Sequence, residues 1–400
     1  MSSLRMLSGV IGRFPVIGRS LVFVRAALGY LSSLPPVLQG QGEGHQNAWL
    51  FFDRESQARD NAESLFRYLV NERPNIRVRF SVKRDSDCWK RLVSEGYEDY
   101  LVEFGSRMFW YVFRHARLVA SSQNTVDIQV RVFRLFSRGR KAPRTVFLRH
   151  GLIHVGQPGI VETHSYDIFV CSAQFELDYV SSRLVAVGKE VSQAKLLGMA
   201  RWDFYAGRDW IQGDEWLIVP TWRSGKSIGP RKRRVQLESY VTFWKALLEA
   251  SARAQINATL ITHPVLDEDL KEHAYSLDLR VKSFADVNFQ ELLYTSRGLI
   301  TDWSSVSMEA IFARKELILF RPRADMTYFR YHLGTSEELN FLASIDHHIC
   351  ESQVCVLNHM MTSRGPKFEQ MNERWELIFS EYPGAASPAL TAAMEELVDG

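Results

Sequence analysis

Residues 299–310 read LITDWSSVSMEA: an apolar run closed by Thr301 and Asp302, two serines, then a tail with helical spacing. An apolar run bounded by polar residues and followed by that spacing predicts a buried strand feeding a helix. Ser304 and Ser305 then fall at the mouth of the helix. A serine there can accept a hydrogen bond from a free backbone N–H as an N-cap. The same place suits an anion, because backbone donors, hydroxyls and the positive end of the helix dipole converge on it. A cap and a phosphate site are both open to these residues.

Working outward, the same unit recurs. "AWLFFD", "IRVRFSV", "YLVEF", "RLVASS", "TVFLRHG" and "YDIFVCS" read as strands, and "ARDNAESLFRYLVNE", "DCWKRLVSEGY" and "FWYVFRHA" as helices between them. After a glycine-punctuated stretch the pattern restarts with "WLIVPTW", the helix "LESYVTFWKALLEASARA", "ATLITH", "LRVKSF", "GLITD" and "ELILFRP". Alternation of this kind predicts βαβ units and parallel sheets. A chain of 400 residues also exceeds one ordinary core. The expectation is α/β, with two Rossmann-like domains and a ligand cleft at the carboxyl ends of their strands. The expected divisions are a basic segment and linker at 1–45, a first domain at 46–210, and a second at 211–400 that includes C-terminal helices. No repeat of 20 to 50 residues is visible, which excludes a solenoid.

Chemistry-bearing residues gather where the strands should end. "FLRHG" delivers Arg149 and His150, "PTWRSGKS" delivers Arg223, "LITHP" delivers His263, and "ITDWSS" delivers Thr301, Asp302, Ser304 and Ser305. Histidine is the natural general base near neutral pH, and phosphate is held by hydroxyls, backbone N–H groups and cations. A lone strand-end histidine is more often structural. Two histidines, two serines and an arginine converging on one cleft favour chemistry.

Composition bounds the rest. With 46% hydrophobic and 24% charged residues, disorder over most of the length is excluded. The formal charge of +3 is concentrated, since residues 1–42 hold Arg5, Arg13, Arg19 and Arg25 and no acid. Leu4, Leu7, Ile11 and Phe14 recur at helical spacing there, and no run reaches the ~20 apolar residues that span a bilayer. Arg25 within "SLVFVRAALGYL" argues against a signal peptide. A helix on an anionic membrane surface is expected, with a helix covering the first domain as the alternative. Two further basic clusters, Arg131 to Arg144 and "GPRKRR", lack the motif and the interleaved aromatics of a nucleic-acid site, so no nucleic-acid partner is expected. Cys88, Cys171, Cys350 and Cys355 predict reduced thiols, and no zinc-like spacing supports a metal.

Several motifs fail. "SGKS" is no P-loop, because its required first glycine falls at Pro220. His150 and His154 are four apart but leave a strand rather than lie on a helix, and "GQGEG" reads as a linker.

Six fragments, in order, resemble one family. "RDNAESLFRYL", "RHG", "GMARWD", "VPTWR", "THP" and "ITDWSSVSMEA" are similar to motifs of the CDP-glycerol glycerophosphotransferases of teichoic-acid and capsule synthesis, across roughly residues 47 to 335. Leu152, Ala200, Trp303 and Glu309 depart from the family's usual residues. The resemblance implies the GT-B arrangement, an acceptor-side first domain, a donor-binding second domain, and peripheral attachment to the cytoplasmic face of the membrane. It implies a CDP-activated polyol donor, glycerol or ribitol phosphate as the transferred group, a membrane-linked polyol-phosphate or glycan acceptor, and no cofactor or metal. A homo-oligomer is left open.

On that resemblance His150 is the base that takes the acceptor hydroxyl's proton, and His263 and Arg223 neutralise the leaving CMP. Ser304, Ser305 and Thr301 hold donor phosphates, with Arg201, Asp203, Asp302 and Glu309 in support. Positioning and electrostatics supply most of such catalysis. Two alternatives remain: a GT-B glycosyltransferase using a sugar nucleotide, and a non-catalytic membrane assembly partner.

Overall fold

The computed structural model describes residues 15–33, 43–124, 126–137, 140–152, 161, 164, 166–220, 230–262, 280–284, 286–302, 304–320, 348–363, 365 and 367–400, with backbone alone for 15–21 and 230–241. Arg223, His263, Trp303 and the first fourteen residues lie outside them. The chain divides into two compact units. One comprises the chain up to His150, Pro158–Asp203 and Tyr382–Gly400; the other comprises Gly151–Gln157 and Phe204–Glu381.

In the first unit, helix α1 (Pro15–Ser32) precedes β1 (Trp49–Phe52), α2 (Asn61–Glu72), β2 (Val78–Val82), α3 (Asp87–Ser94), β3 (Leu101–Glu103), α4 (Arg107–His115) and β4 (Leu118–Ser121). Then follow α5 (Val126–Phe136), β5 (Arg144–Phe147), β6 (Ile168–Cys171), α6 (Gln174–Ala186) and β7 (Ala194–Leu196). The strands form one parallel sheet in the order β3-β2-β1-β4-β5-β6-β7, with Trp49 opposite Val78 on one side and Leu118 on the other. All four residues of β1 are buried, as a strand covered on both faces requires. Serines start the short helices: Ser86 accepts from Trp89 N–H and Ser106 from Phe109 N–H, each at 3.1 Å.

The second unit repeats the pattern with β8 (Trp216–Ile218), α7 (Pro230–Arg253), β9 (Ala258–Thr262), β10 (Val281–Ser283), α8 (Phe289–Thr295) and β11 (Gly298–Thr301). It continues through α9 (Val306–Phe312), β12 (Glu316–Phe320), β13 (His348–Cys350), α10 (Gln353–Thr362) and α11 (Phe368–Phe379). Its six strands are parallel, in the order β10-β9-β8-β11-β12-β13. Its core packs Trp244, Leu247 and Phe243 of α7 onto Trp216, Ile218, Ile300 and Phe320 of the sheet. Both orders reverse beside the central strand, at β1/β4 and β8/β11, the Rossmann pattern the alternation predicts.

Two expectations need correction. The last helix, α12 (Ala386–Asp399), belongs to the first unit and not to the stretch 211–400 assigned to the second domain. Its Arg73–Glu395 and Lys195–Glu396 ion pairs tie it there. Cys350 and Cys355 are not free thiols but a disulfide, with Cα atoms 5.4 Å apart where β13 turns into α10. The basic run from Arg131 begins on a helix and ends on a strand. Arg131 and Arg134 lie on the exposed face of α5, with Arg131 paired to Asp127 at 2.7 Å, and Arg144 on β5 pairs with Asp167.

Helix α1 rests on the first unit by one face. Tyr30 is buried edge-on to Trp110 and Phe133, stacks on Phe136 and bonds Ser137 Oγ at 2.5 Å. Gly29 lies so close to the Trp110 indole that a Cβ would collide with it. The opposite face leaves Val24, Leu28 and Leu31 exposed, with Arg25 beside them. No helix among the described residues is long and apolar enough to cross a membrane.

A buried ion cluster fastens α2 to α3. Glu63 accepts from Arg67 at 2.8 Å and from Arg91 at 2.6 Å, and also from Arg59 N–H at 2.7 Å. Burial pushes its carboxyl up, but hydrogen bonds and charge from Arg91, then Arg67, outweigh that and hold it below the usual value of 4.5. A lowered carboxyl stabilises the fold fully above its unfolded value and loses that contribution as pH falls through the folded one. Glu63→Gln should therefore cost about 3 kcal/mol near neutral pH, the lower end for breaking a buried pair. In urea unfolding the gap to the unsubstituted protein should shrink as the pH falls below 4.5.

Candidate functional site

In the first unit, polar side chains converge on the carboxyl ends of β1, β4, β5 and β7. Asp53 directly follows β1 and Ser122 directly follows β4. His150 stands three residues past β5, and Arg201 lies in a short helical turn, Ala200–Tyr205, beyond β7. Asp60 caps α2, its Oδ1 accepting from Asn61 N–H at 2.9 Å.

Asp60 joins these segments. Its Oδ2 bonds His150 Nδ1, and its Oδ1 accepts from Arg201 Nη1 at 2.6 Å. The same Arg201 nitrogen donates to the His150 carbonyl at 2.7 Å. Asn61 braces both loops: its Nδ2 donates to the Arg149 carbonyl at 2.8 Å and its Oδ1 accepts from Arg201 N–H at 3.1 Å. The side chains of Asp60 and Arg201 are about 10% exposed, whereas the His150 ring is 54% exposed. The imidazole is open to a ligand while its partners are not.

Beneath the cluster, Asp53 accepts from Ser122 Oγ at 2.5 Å and from the N–H groups of Asp60, Ala62 and Glu63 at 3.1 to 3.3 Å. Burial, and then the charge of Asp60, raises Asp53 to about 8. Asp60 moves the other way. Burial opposes its ionisation, but His150 and Arg201, with the Asn61 N–H, outweigh that and hold its carboxyl below the usual range. Neighbouring carboxyls pushed apart in this way are common where an acid or base has a task.

The "GMARWD" stretch now has a reading residue by residue. Gly198 has φ +81°, and a Cβ there would come within 2.7 Å of the Tyr382 ring. Only glycine suits both the left-handed turn and the close approach. Arg201 serves the Asp60 cluster. Asp203 instead accepts from the Ala386 and Ser387 N–H groups, at 2.6 and 2.7 Å, and so caps α12 from outside the helix.

In the second unit, β11 ends at the switch point beside β8. Thr301 is buried and donates from Oγ1 to the Val219 carbonyl at 2.6 Å, so its hydroxyl is committed to the backbone. Asp302 is buried as well. Ser304 and Ser305 are half-buried and open α9 as expected, but Ser305, at the N-cap position, makes no side-chain cap bond. Ser304 Oγ accepts from Val306 N–H at a long 3.4 Å. The side-chain cap read from the sequence is thus weak, and the backbone makes little use of either hydroxyl. Glu309 is buried on α9 and accepts from Gln290 at 2.9 Å and Tyr205 at 3.4 Å, a position suited to fixing the helix.

The structure therefore brings together His150 and Arg201, sets Asp203 apart as a cap, and groups Thr301, Asp302, Ser304, Ser305 and Glu309 around the start of α9. Arg223 and His263 fall outside the described residues. Asp60, Asn61, Asp53 and Ser122 were missed as site residues. "RDNAESLFRYL" was a visible signal for the first two, but an acid before a helix reads as an ordinary cap.

No protein-family model matches the chain. It is 24% identical over 300 residues to the minor teichoic acid biosynthesis protein GgaB of Bacillus subtilis, a match covering 68% of this chain and 31% of the relative's length. Among solved structures it is similar to the wall teichoic acid polymerase TagF, at TM-score 0.65 and 14% identity over 95% of this chain and 96% of that one. It is also similar to a UDP co-structure of MnaA from S. aureus, at TM-score 0.55 and 12% identity over 88% and 97%. These structural likenesses support two Rossmann-like folds of the GT-B type.

The cap on α12 can be tested by itself. Asp203→Ala removes two hydrogen bonds to free helix N–H groups and should lower unfolding stability by about 1–2 kcal/mol. Protease cutting near Tyr382 should rise in step.

Proposed function

We propose that this chain is a member of the CDP-glycerol glycerophosphotransferase family and moves a polyol phosphate from a CDP-activated donor to a hydroxyl of a membrane-linked envelope polymer or its primer, releasing CMP. The observation that carries this is the exposed His150 imidazole seated on the buried Asp60–Arg201 pair at the strand ends. An exposed ring with a fixed, charged support is the arrangement a general base requires.

In this reaction the acceptor oxygen attacks the phosphorus on the polyol side of the donor's pyrophosphate. His150 takes the hydroxyl proton, the bond from that phosphorus to the bridging oxygen breaks, and CMP leaves with the electron pair. Charge on the transferred group must be neutralised in place, so fixed donors and cations provide most of the acceleration. In the second unit Ser304 and Ser305, with hydroxyls little used by the backbone, are the donor-phosphate ligands. His263 and Arg223 take the CMP side. Thr301, Asp302 and Glu309 hold the start of α9 in position, and Arg201 supports the base.

The sequence relationship to a teichoic-acid biosynthesis protein supports a transferase in envelope polymer synthesis. A sugar nucleotide is the second donor class, favoured by the likeness to a UDP-bound fold. Incubation with CDP-glycerol, CDP-ribitol and UDP-sugars separates the two by release of CMP or UDP. CMP should appear and UDP should not. His150→Ala should bind CDP-glycerol normally and turn over ~10²–10⁴ times more slowly. Ser304→Ala with Ser305→Ala should weaken CDP-glycerol binding in calorimetry; unchanged binding would reduce the serines to a helix start.

The outer face of α1 suits the cytoplasmic membrane surface, since Val24, Leu28 and Leu31 are exposed beside Arg25. Replacing the three with serine leaves Tyr30 docked. It should abolish most binding to anionic vesicles while turnover of a soluble acceptor persists. Binding that survives this change would exclude the face as an anchor.

A further inference from the structure

Two arginines in the left-handed region flag the base more sharply than its exposure does. Among the described residues five non-glycine positions have positive φ, and two of them, Arg59 (φ 76°) and Arg149 (φ 68°), immediately precede Asp60 and His150. A left-handed non-glycine residue is strained and persists only where its surroundings over-determine it. Here they do. Arg59 N–H is held by Glu63 at 2.7 Å, and the Arg149 carbonyl is held by Asn61. The Arg149 side chain is buried against Glu176 at 2.8 Å. The backbone is thus turned sharply just before each member of the Asp60–His150 contact.

The contact is also asymmetric in a way that a helix cap does not need. One oxygen of Asp60 would serve the helix, and Oδ1 does so while also taking Arg201. Oδ2 is given to His150 Nδ1. An ionised carboxylate only accepts, so the imidazole nitrogen facing it must carry the hydrogen. The other nitrogen, Nε2, is then the one with the lone pair. With Arg201 on one oxygen and His150 on the other, the carboxylate cannot rotate without breaking an ion pair.

We propose that Asp60 is a positioning residue that fixes His150 as the Nδ1–H tautomer, leaving Nε2 to receive the acceptor's proton, and that Arg201 keeps Asp60 ionised for that purpose. This deepens the reading of His150 as the base and rests on it. The acceptor O–H bond breaks and its proton goes to Nε2, while the Nδ1 hydrogen stays on the ring. The imidazolium that forms is stabilised by Asp60, which remains unprotonated. After CMP has left, the Nε2 proton passes to solvent. Asn61 is the brace that keeps the two loops in register.

The test reads the tautomer directly. Full-length protein labelled with nitrogen-15 is observed by two-bond proton–nitrogen correlation in alkaline buffer, where free imidazole is neutral. The His150 ring is assigned by its absence in His150→Gln. The expected pattern has the hydrogen on Nδ1. Asp60→Asn can present an amide N–H to the ring instead. It should move the hydrogen to Nε2 and lower kcat with CDP-glycerol by ~10²–10⁴, with KM for CDP-glycerol changed less than about threefold. A merely structural Asp60 would change neither the tautomer nor the split between kcat and KM. Hydrogen on Nε2 in the unsubstituted protein overturns the proposal, as does an Asp60→Asn protein with tautomer and kcat unmoved. If Asp60→Asn does not fold, the spectrum of the unsubstituted protein still decides. If no CDP donor is turned over, the functional reading fails while the spectrum continues to judge Asp60.

Discussion

The first unit is organised around one carboxylate. Asp60 is buried, yet it holds an arginine, a histidine and a helix N–H at once. An unpaired carboxylate in such a place would be prohibitively costly, so the two loops that supply His150 and Arg201 are bound to it as much as it is to them. Removing His150 or Arg201 would leave the carboxylate to bear part of that cost. Asn61 adds neutral bonds to the same segments, and Asp53 gathers the remaining free N–H groups at the start of α2. The helix that begins there serves as the fixed frame for loops from β5 and β7.

That frame extends to the end of the chain. Asp203, two residues past Arg201, accepts from the first N–H groups of α12. Tyr382 lies over Gly198 and against Trp202, and its hydroxyl reaches the Met199 carbonyl at 3.3 Å. The short stretch from Gly198 to Asp203 therefore does two jobs. One side meets the Asp60 cluster, and the other fastens the returning C-terminal segment. Glycine, arginine and aspartate occur together there for separate physical reasons.

In the second unit the apolar run of β11 gives way to polar residues in a graded manner. Thr301 and Asp302 are buried and structurally engaged, whereas the two serines after them keep hydroxyls that the backbone hardly uses. Glu309 on α9 is held by Gln290 and Tyr205, so the helix that the serines open is itself fixed. The backbone that carries the two serines is thus rigidly supported while their hydroxyls make few bonds to it.

By itself the sequence determined the two parallel sheets. Their strands are buried on both faces and so appear as unbroken apolar runs, and helical spacing between them is a local property. It also marked His150 and the start of α9, because strand ends can be located from those same runs. Tertiary structure alone decided the rest. Asp60 and His150 are 90 residues apart, and Asp203 and Ala386 are 183 apart. A hydrogen bond over such a distance leaves no periodicity or spacing to read, and each residue has an ordinary local explanation as a cap. The return of α12 to the first unit and the division of labour within "GMARWD" were hidden for the same reason. Local preference dictates which elements form, but partners remote in the chain dictate which polar side chains they bring together.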